Sequence, residues 1–415
     1  MKNPKIILIV TALALILGSR EINAIARPSE TKTFQVFQYQ INLEIPKQTT
    51  WLIPPFSYWA RNKVILVIPP DWPGNEVFID STSSKPAALE FGPSWATNMY
   101  LHFFTPVNSD QKISVTGYVK ITPLSLNNNQ TISENYYKAT VDDLKSKNLH
   151  LYLGSSEKIE SDNPEIVKVA QELKGNKTKI SEIISATYAY VVSKIDYNYL
   201  TFDLIENGQF IEPQSALETL RKGSGICGDY SRLLIALFRA QGIPARMVTG
   251  AVDIPLTGEK YAAFHAWVQV YVPNTGFIDI DPTWGEDGVD YISENDFRHI
   301  RLGFALPDNS GPFPETSDYF DAFGVPTGAS VSNYSMKFSK VDDLPQSDRE
   351  NIYALTDVFI SSDGPVNHDK NYYKYAMKNI FTNPAFLFVA QSILFIVFIK
   401  IAIVAIKTKK IKQKR

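Results

Sequence analysis

The stretch GSGICGDYSRLLIALFRAQGIPARMVTG, Gly223–Gly250, decides how the chain is read. Its Gly-Ser-Gly turn puts Cys227, the one cysteine among 415 residues, at the start of a helix. Tyr230, Leu233, Leu234, Leu237 and Phe238 recur at helical spacing, and Gly242 with Pro244 ends the run after about Ala240. Cys227 lies one turn before Tyr230, so it caps the buried face. The positive end of a helix macrodipole favours a thiolate there. The glycines let a substrate backbone come close and leave the cysteine N–H available to an oxyanion. By composition alone a lone cysteine is more often a small buried hydrophobe. This neighbourhood points to a nucleophile instead.

Downstream, FHAWVQVYV (Phe264–Val272) alternates cleanly. Phe264, Ala266, Val268, Val270 and Val272 make one apolar face of a strand, and His265, Trp267 and Gln269 make the other. After a turn at residues 273–276, FIDIDPTWG (Phe277–Gly285) reads as a second strand. Adjacent strands can hold a histidine beside a carboxylate, which fixes the ring tautomer and stabilises imidazolium. Asp279 and Asp281 point the same way along that strand, so periodicity does not choose between them. Upstream, helices are expected from about Pro164, over Lys179–Ile195 (Ile180, Ile184, Tyr188 and Val191 at helical spacing), and over Pro213–Lys222. Cysteine at a helix start, histidine in one strand and aspartate in the next supply the nucleophile, base and orienter of thiol acyl transfer.

Both ends address a membrane. MKNPK followed by apolar residues 6–17 and Ala24-Ile25-Ala26 has the pattern of a secretory signal over residues 1–26. Ala385 to Ile406 is long enough to span a bilayer as helix. The tail at 407–415 carries six bases and no acid, which places it in the cytoplasm and everything before Ala385 outside, a type I single-pass arrangement. Net charge is −2, but without that tail 35 bases face 43 acids, which argues against nucleic acid as a partner. Residues from about Thr33 to Pro123 read as an all-β module. Tyr39, Ile41, Leu43 and Ile45 alternate with polar residues, and Val64–Pro70 and Ile113–Ile121 are further strands.

On these residues the chain resembles the transglutaminase-like superfamily. Ala216–Gly250, His265–Val272 and Ile278–Gly285 carry the resemblance, which covers about residues 160–300. It implies a triad of Cys227, His265 and Asp281, the Pro-Thr-Trp after Asp281 selecting it over Asp279. The β-module is similar to the sandwich that precedes such cores in bacteria. The chain departs from the family pattern in having Phe277 where Trp is frequent and Gln269 where the family has glutamate. The upstream side-chain donor to the oxyanion is not fixed, with Tyr197 and Tyr199 as the candidates. No acidic loop matches a calcium site, so neither metal nor cofactor is expected.

The expected fold is therefore α+β: a β-sandwich module (27–126), a papain-like transglutaminase core (160–300), an extension and stalk (301–380), and a transmembrane helix (385–406). The expected activity is attack on a peptide or glutamine carboxamide of a protein substrate through a thioester, with hydrolysis favoured over cross-linking. The rival from another class is a catalytically silent binding or scaffolding ectodomain of the cell envelope.

Overall fold

The structure, a computed structural model, describes residues 34–413 except 49, 73, 93–97, 124–125, 127–128, 145–148, 208, 253–262, 288–289, 294–297, 306–332, 345–349, 352–354, 357 and 362–369. The expected signal segment, 1–26, lies outside the described residues. Strands β1 (Gln35–Ile45), β2 (Arg61–Ile68), β3 (Asn75–Thr82), β4 (Ala88–Phe91), β5 (Met99–Pro106) and β6 (Gln111–Ile121) come first. Helices follow at Gln130–Lys138, Pro164–Lys174 and Ile180–Lys194. The two-residue strand β7 (Asp196–Tyr197) and helices Tyr199–Glu206 and Ala216–Lys222 lead to β8 (Ser224–Gly225) and the cysteine helix, Cys227–Ala240. Then come β9 (Ala245–Val252), β10 (Ala263–Val272), β11 (Gly276–Ile280) and β12 (His299–Phe304). Strands β13 (Asn333–Val341), β14 (Glu350–Asn351) and β15 (Phe359–Ser361) precede a helix at Lys370–Thr382 and the C-terminal helix, Pro384–Gln413.

Among the described residues, three larger sheets and the two-stranded pair β7-β8 organise these strands. One runs β13-β1-β6-β3-β14, a second runs β15-β4-β5-β2, and the third, which carries the site, runs β11-β10-β9-β12. The alternation of β1 does what its period dictates: Tyr39, Ile41, Leu43 and Ile45 all turn inward. They share one core with Val64, Leu66, Leu101 and Phe103 of the second sheet. Each such buried side chain contributes about 1.5–3 kcal/mol relative to exposure. That core continues onto Ala251, Ile300 and Leu302 of the third sheet, and onto Ile226, the residue before Cys227. A second core lies between the cysteine helix and the third sheet. Leu233, Leu234 and Leu237 meet Ala266, Val268, Val270 and Val272, with Ile183, Ile184 and Val191 from the neighbouring helix.

Described parts of the region expected as extension and stalk are packed into the fold. Residues 333–341 pair along nearly the whole of β1, with Met336 opposite Ile41 and Phe338 opposite Tyr39, and both side chains are buried. Tyr334, Met336 and Phe338 alternate with polar residues, which is what an edge strand with one wet face requires. Helix Lys370–Thr382 is likewise tied down, its Tyr375 hydroxyl lying 2.6 Å from Nδ1 of the buried His102. The first sheet thus takes its outer strand from a segment roughly three hundred residues downstream of β1.

Candidate active site

Cys227 opens its helix because the chain arriving there is already clamped. Helix Ala216–Lys222 starts at Ser215, whose hydroxyl accepts from the Glu218 N–H while Glu218 accepts from the Ser215 N–H. It stops at Gly223, in the left-handed region with φ 69°. Strand β8 then pairs in parallel with β7, setting Gly225 beside Tyr197. Asp229 holds the turn itself. Its carboxylate accepts from the Ile226 N–H at 3.0 Å, the Gln214 N–H and side-chain amide each at 3.1 Å, and Arg232 Nη2 at 2.9 Å. Gly225 is required by this packing, since a Cβ there would lie 2.6 Å from the Cβ of Asp229.

The histidine and carboxylate come from the third sheet. In β10, Ala266 and Val268 face the cysteine helix while His265, Trp267 and Gln269 face the other way, as the alternation requires. Register pairs Val268 with Ile280, so Asp281, just past the end of β11, falls diagonally across from His265. Nε2 of His265 lies 2.8 Å from Oδ2 of Asp281. Oδ1 of Asp281 accepts from the backbone N–H groups of Thr283 at 2.9 Å and Trp284 at 3.3 Å. The Pro-Thr-Trp turn therefore orients the carboxylate. Cys227 lies close enough to His265 to be among the groups that raise the pKa of its ring. With Nε2 committed to Asp281, Nδ1 is the ring nitrogen left for the thiol.

The electrostatics follow from this arrangement. Burial opposes a charged ring at His265, but the charge and hydrogen bond of Asp281, joined by Cys227, outweigh it and raise its pKa to about 10. Asp281 is buried too, which would raise its pKa, yet the two histidines hold it well below the usual carboxylate range. Tyr197 is pushed far above the normal phenol value, by burial first and then by the charge of Cys227. Tyr197 pairs with Gly225, two residues before Cys227. Tyr199, the other candidate, is largely exposed.

Several residues of the site escaped the sequence reading. His299, at the start of β12, places its Nε2 3.0 Å from the same Oδ2 of Asp281. An ionised carboxylate only accepts, so both rings present N–H to it. The signal was the polar alternation His299, Arg301 against Ile300, Leu302, at the very edge of the expected core. Trp284 and Trp267 stack near the His265 ring, with centroids at 5.9 and 6.1 Å, and both also contact His299. A low-dielectric wall of this kind strengthens every charge interaction inside it. Gly250 makes room for the wall: a Cβ there would sit 2.5 Å from the Trp267 ring. One ligand atom each from His265, Asp281 and His299 lie within 4.8 Å of one another, so the cluster could also hold a divalent ion.

Asp279 has a different task. It pairs with Arg301 and accepts from Trp267 Nε1 at 3.0 Å and Gln269 Nε2 at 2.9 Å. Gln269 in turn accepts from Arg246 Nε at 2.9 Å. A glutamate at 269 would face Asp279 charge to charge, so the departure from the family pattern is matched by its neighbours. Phe277, the other departure, stacks under the Arg246 guanidinium at 4.0 Å.

Residues 167–282 match the family model of the transglutaminase-like superfamily. A segment is similar to the uncharacterized protein YebA of Bacillus subtilis, 34% identical over 71 residues, 15% of this chain and 10% of that protein. It is also similar to a protein-glutamine gamma-glutamyltransferase of Pseudomonas aeruginosa, 34% identical over 67 residues, again 15% and 10%. The chain thus spans about a tenth of the length of the curated relatives it matches. Among solved structures, a candidate cysteine protease from Cytophaga hutchinsonii aligns over 76% of this chain and 93% of its own, with TM-score 0.47 and 17% identity.

Proposed function

We propose that this chain, whose residues 167–282 carry the core of the transglutaminase-like superfamily, is a membrane-anchored cysteine enzyme that cleaves or transfers the acyl group of a peptide or glutamine carboxamide. The observation that supports it most is the buried His265–Asp281 pair, with 2.8 Å between ring and carboxylate, beside a helix that starts at Cys227, whose thiol is among the groups that raise the ring's pKa. The proton of the Cys227 thiol passes to Nδ1 of His265, and Sγ attacks the carbonyl carbon. The C=O bond becomes a C–O⁻ bond, held by the Cys227 N–H and the Tyr197 hydroxyl. His265 then protonates the departing nitrogen, the C–N bond breaks and a thioester remains. Asp281 and His299 keep Nε2 of His265 protonated throughout, so that Nδ1 is the atom that gains and loses the proton. An incoming nucleophile then gives a proton to Nδ1 and bonds to the thioester carbonyl carbon, the C–S bond breaks to release the acyl product, and Sγ takes the proton back from Nδ1.

We favour water as that nucleophile. A second reading, transfer to a primary amine, is supported by the tryptophans beside His265, because transfer needs a site that keeps water out. Partitioning separates the two. The purified protein is given a glutamine-bearing peptide with and without excess primary amine, and free acid and conjugate are quantified. Free acid formed faster than conjugate at millimolar amine upholds hydrolysis, and the reverse makes cross-linking the function.

Anchoring rests on the C-terminal helix. Pro384–Thr408 is long and apolar enough to cross a membrane and is almost wholly unburied by the rest of the chain. The basic end after Ile406 supports a cytoplasmic tail and an external catalytic portion.

A further inference from the structure

The C-terminal helix does not leave the folded body as a free tether. Gln391, two turns into it, accepts from the Ile53 N–H at 2.8 Å and donates to the Trp51 carbonyl at 3.1 Å. Leu387 is buried with Leu52, Ala60 and Val107. The segment from Trp51 to Trp59 is thereby fastened to the first turns of the helix, yet its large side chains face outward. Trp51 is 88% exposed, Tyr58 62% and Trp59 54%, with Ile53 beside them. Phe381 and Phe386, at the end of one helix and the start of the next, are exposed as well. A groove of about 580 Å³ runs between the two sets, and Arg61 and Lys378 are among the residues that line it.

Depth places this patch. A hydrocarbon layer of about 30 Å takes roughly 20 helical residues. Counted back from Lys407, the first base of the terminal cluster, that reaches Leu387, the residue packed against the Trp51–Trp59 segment. Tryptophan and tyrosine favour the headgroup level, where the ring is half buried and its polar edge stays wet. Arginine and lysine at the same level meet lipid phosphate.

We infer that the Trp51–Trp59 segment, with Phe381 and Phe386, is a membrane seat that inserts into the outer headgroup region and holds the catalytic body against the bilayer. This rests on the reading of Pro384–Thr408 as a membrane span. A seated body has a fixed attitude, so its substrates are chains that come to the membrane surface.

The test uses the full chain in phospholipid vesicles containing phosphatidylglycerol, with lipids carrying a spin-label quencher near the headgroup or deep in the acyl chain. Two of the six tryptophans lie in the seat. The shallow quencher should remove up to about one third of the emission and the deep one less. Trp51→Phe combined with Trp59→Phe should abolish that quenchable fraction while leaving the fold intact, since both side chains are exposed. Alkaline carbonate extraction is measured in parallel. Release by carbonate overturns the span and the seat together. Retention without quenching overturns the seat alone. If unquenched protein is also dimeric in single-disc mass measurements, a second copy covers the patch instead of lipid.

Discussion

Asp281→Asn tests the catalytic reading through one atom. The carboxylate takes four donors: two ring N–H groups on Oδ2, at 2.8 and 3.0 Å, and two backbone N–H groups on Oδ1, at 2.9 and 3.3 Å. Asparagine fills the same volume but has one accepting oxygen. If its NH2 faces the backbone, two buried N–H donors are opposed, at about 1–3 kcal/mol each. If its NH2 faces the rings, both Nε2 atoms need only give up their protons and accept. The second arrangement wins. His265 then carries its proton on Nδ1, the atom that must receive the thiol proton. A wrong tautomer in a triad histidine costs on the order of 10⁴-fold in rate, or about 5.5 kcal/mol. The assay is kcat/KM for ammonia release from a glutamine peptide, with Asp279→Asn as control. Asp279 does not touch His265, so its substitution should lower stability through Arg301 and leave the folded enzyme within about tenfold of wild type. A loss below tenfold for Asp281→Asn, or an equal loss in the control, would refute the reasoning.

The raised pKa of His265 predicts that activity persists to about pH 10 and falls above it, as the ring loses the proton needed by the leaving nitrogen. Because the folded value lies above the unfolded one, near 6.5, the stability this ring contributes is complete below about pH 6.5 and is lost as pH rises through about 10, which urea titrations across pH would follow. His299→Gln weakens a donor that lowers the basicity of Asp281, leaving the carboxylate a stronger partner for His265, so the alkaline limb of the kcat/KM profile should move to higher pH and the rate fall by about tenfold, less than for Asp281→Asn; an unmoved limb would make His299 merely structural. Asp229→Ala leaves the buried Arg232 without its carboxylate, so urea unfolding should show a loss of about 3–5 kcal/mol. Retention of full stability would mean that the Cys227 turn is held by other contacts.

How much of this was legible depended on range. The cysteine helix and the alternation of β10 are local patterns, and local periodicity carries their burial directly. The pairing of β13 with β1 is not local. Tyr334, Met336 and Phe338 alternate as a strand should, but Asn333 before them, Ser335 and Lys337 between them and Asp342 and Asp343 after them give the composition of a linker, and nothing in a short window identifies a partner three hundred residues away. His299 was missed for the same reason: its role is set by Asp281, just past the end of a strand that is not its neighbour in the sheet. Asp279 and Asp281, indistinguishable by period, are separated in space by their partners, Arg301 for one and His265 for the other. The attachment of the Trp51–Trp59 segment to Gln391 likewise joins parts of the chain that no periodicity connects.

The central claim is that Cys227 forms the acyl bond. The most direct measurement is acid-quenched peptide mapping by mass spectrometry of the full chain mixed with excess amide substrate. The account predicts an acyl adduct on the peptide containing Cys227, sensitive to hydroxylamine, with both adduct and turnover absent in a folded Cys227→Ala variant. Turnover that survives in Cys227→Ala, or an adduct that maps to another residue, would contradict it.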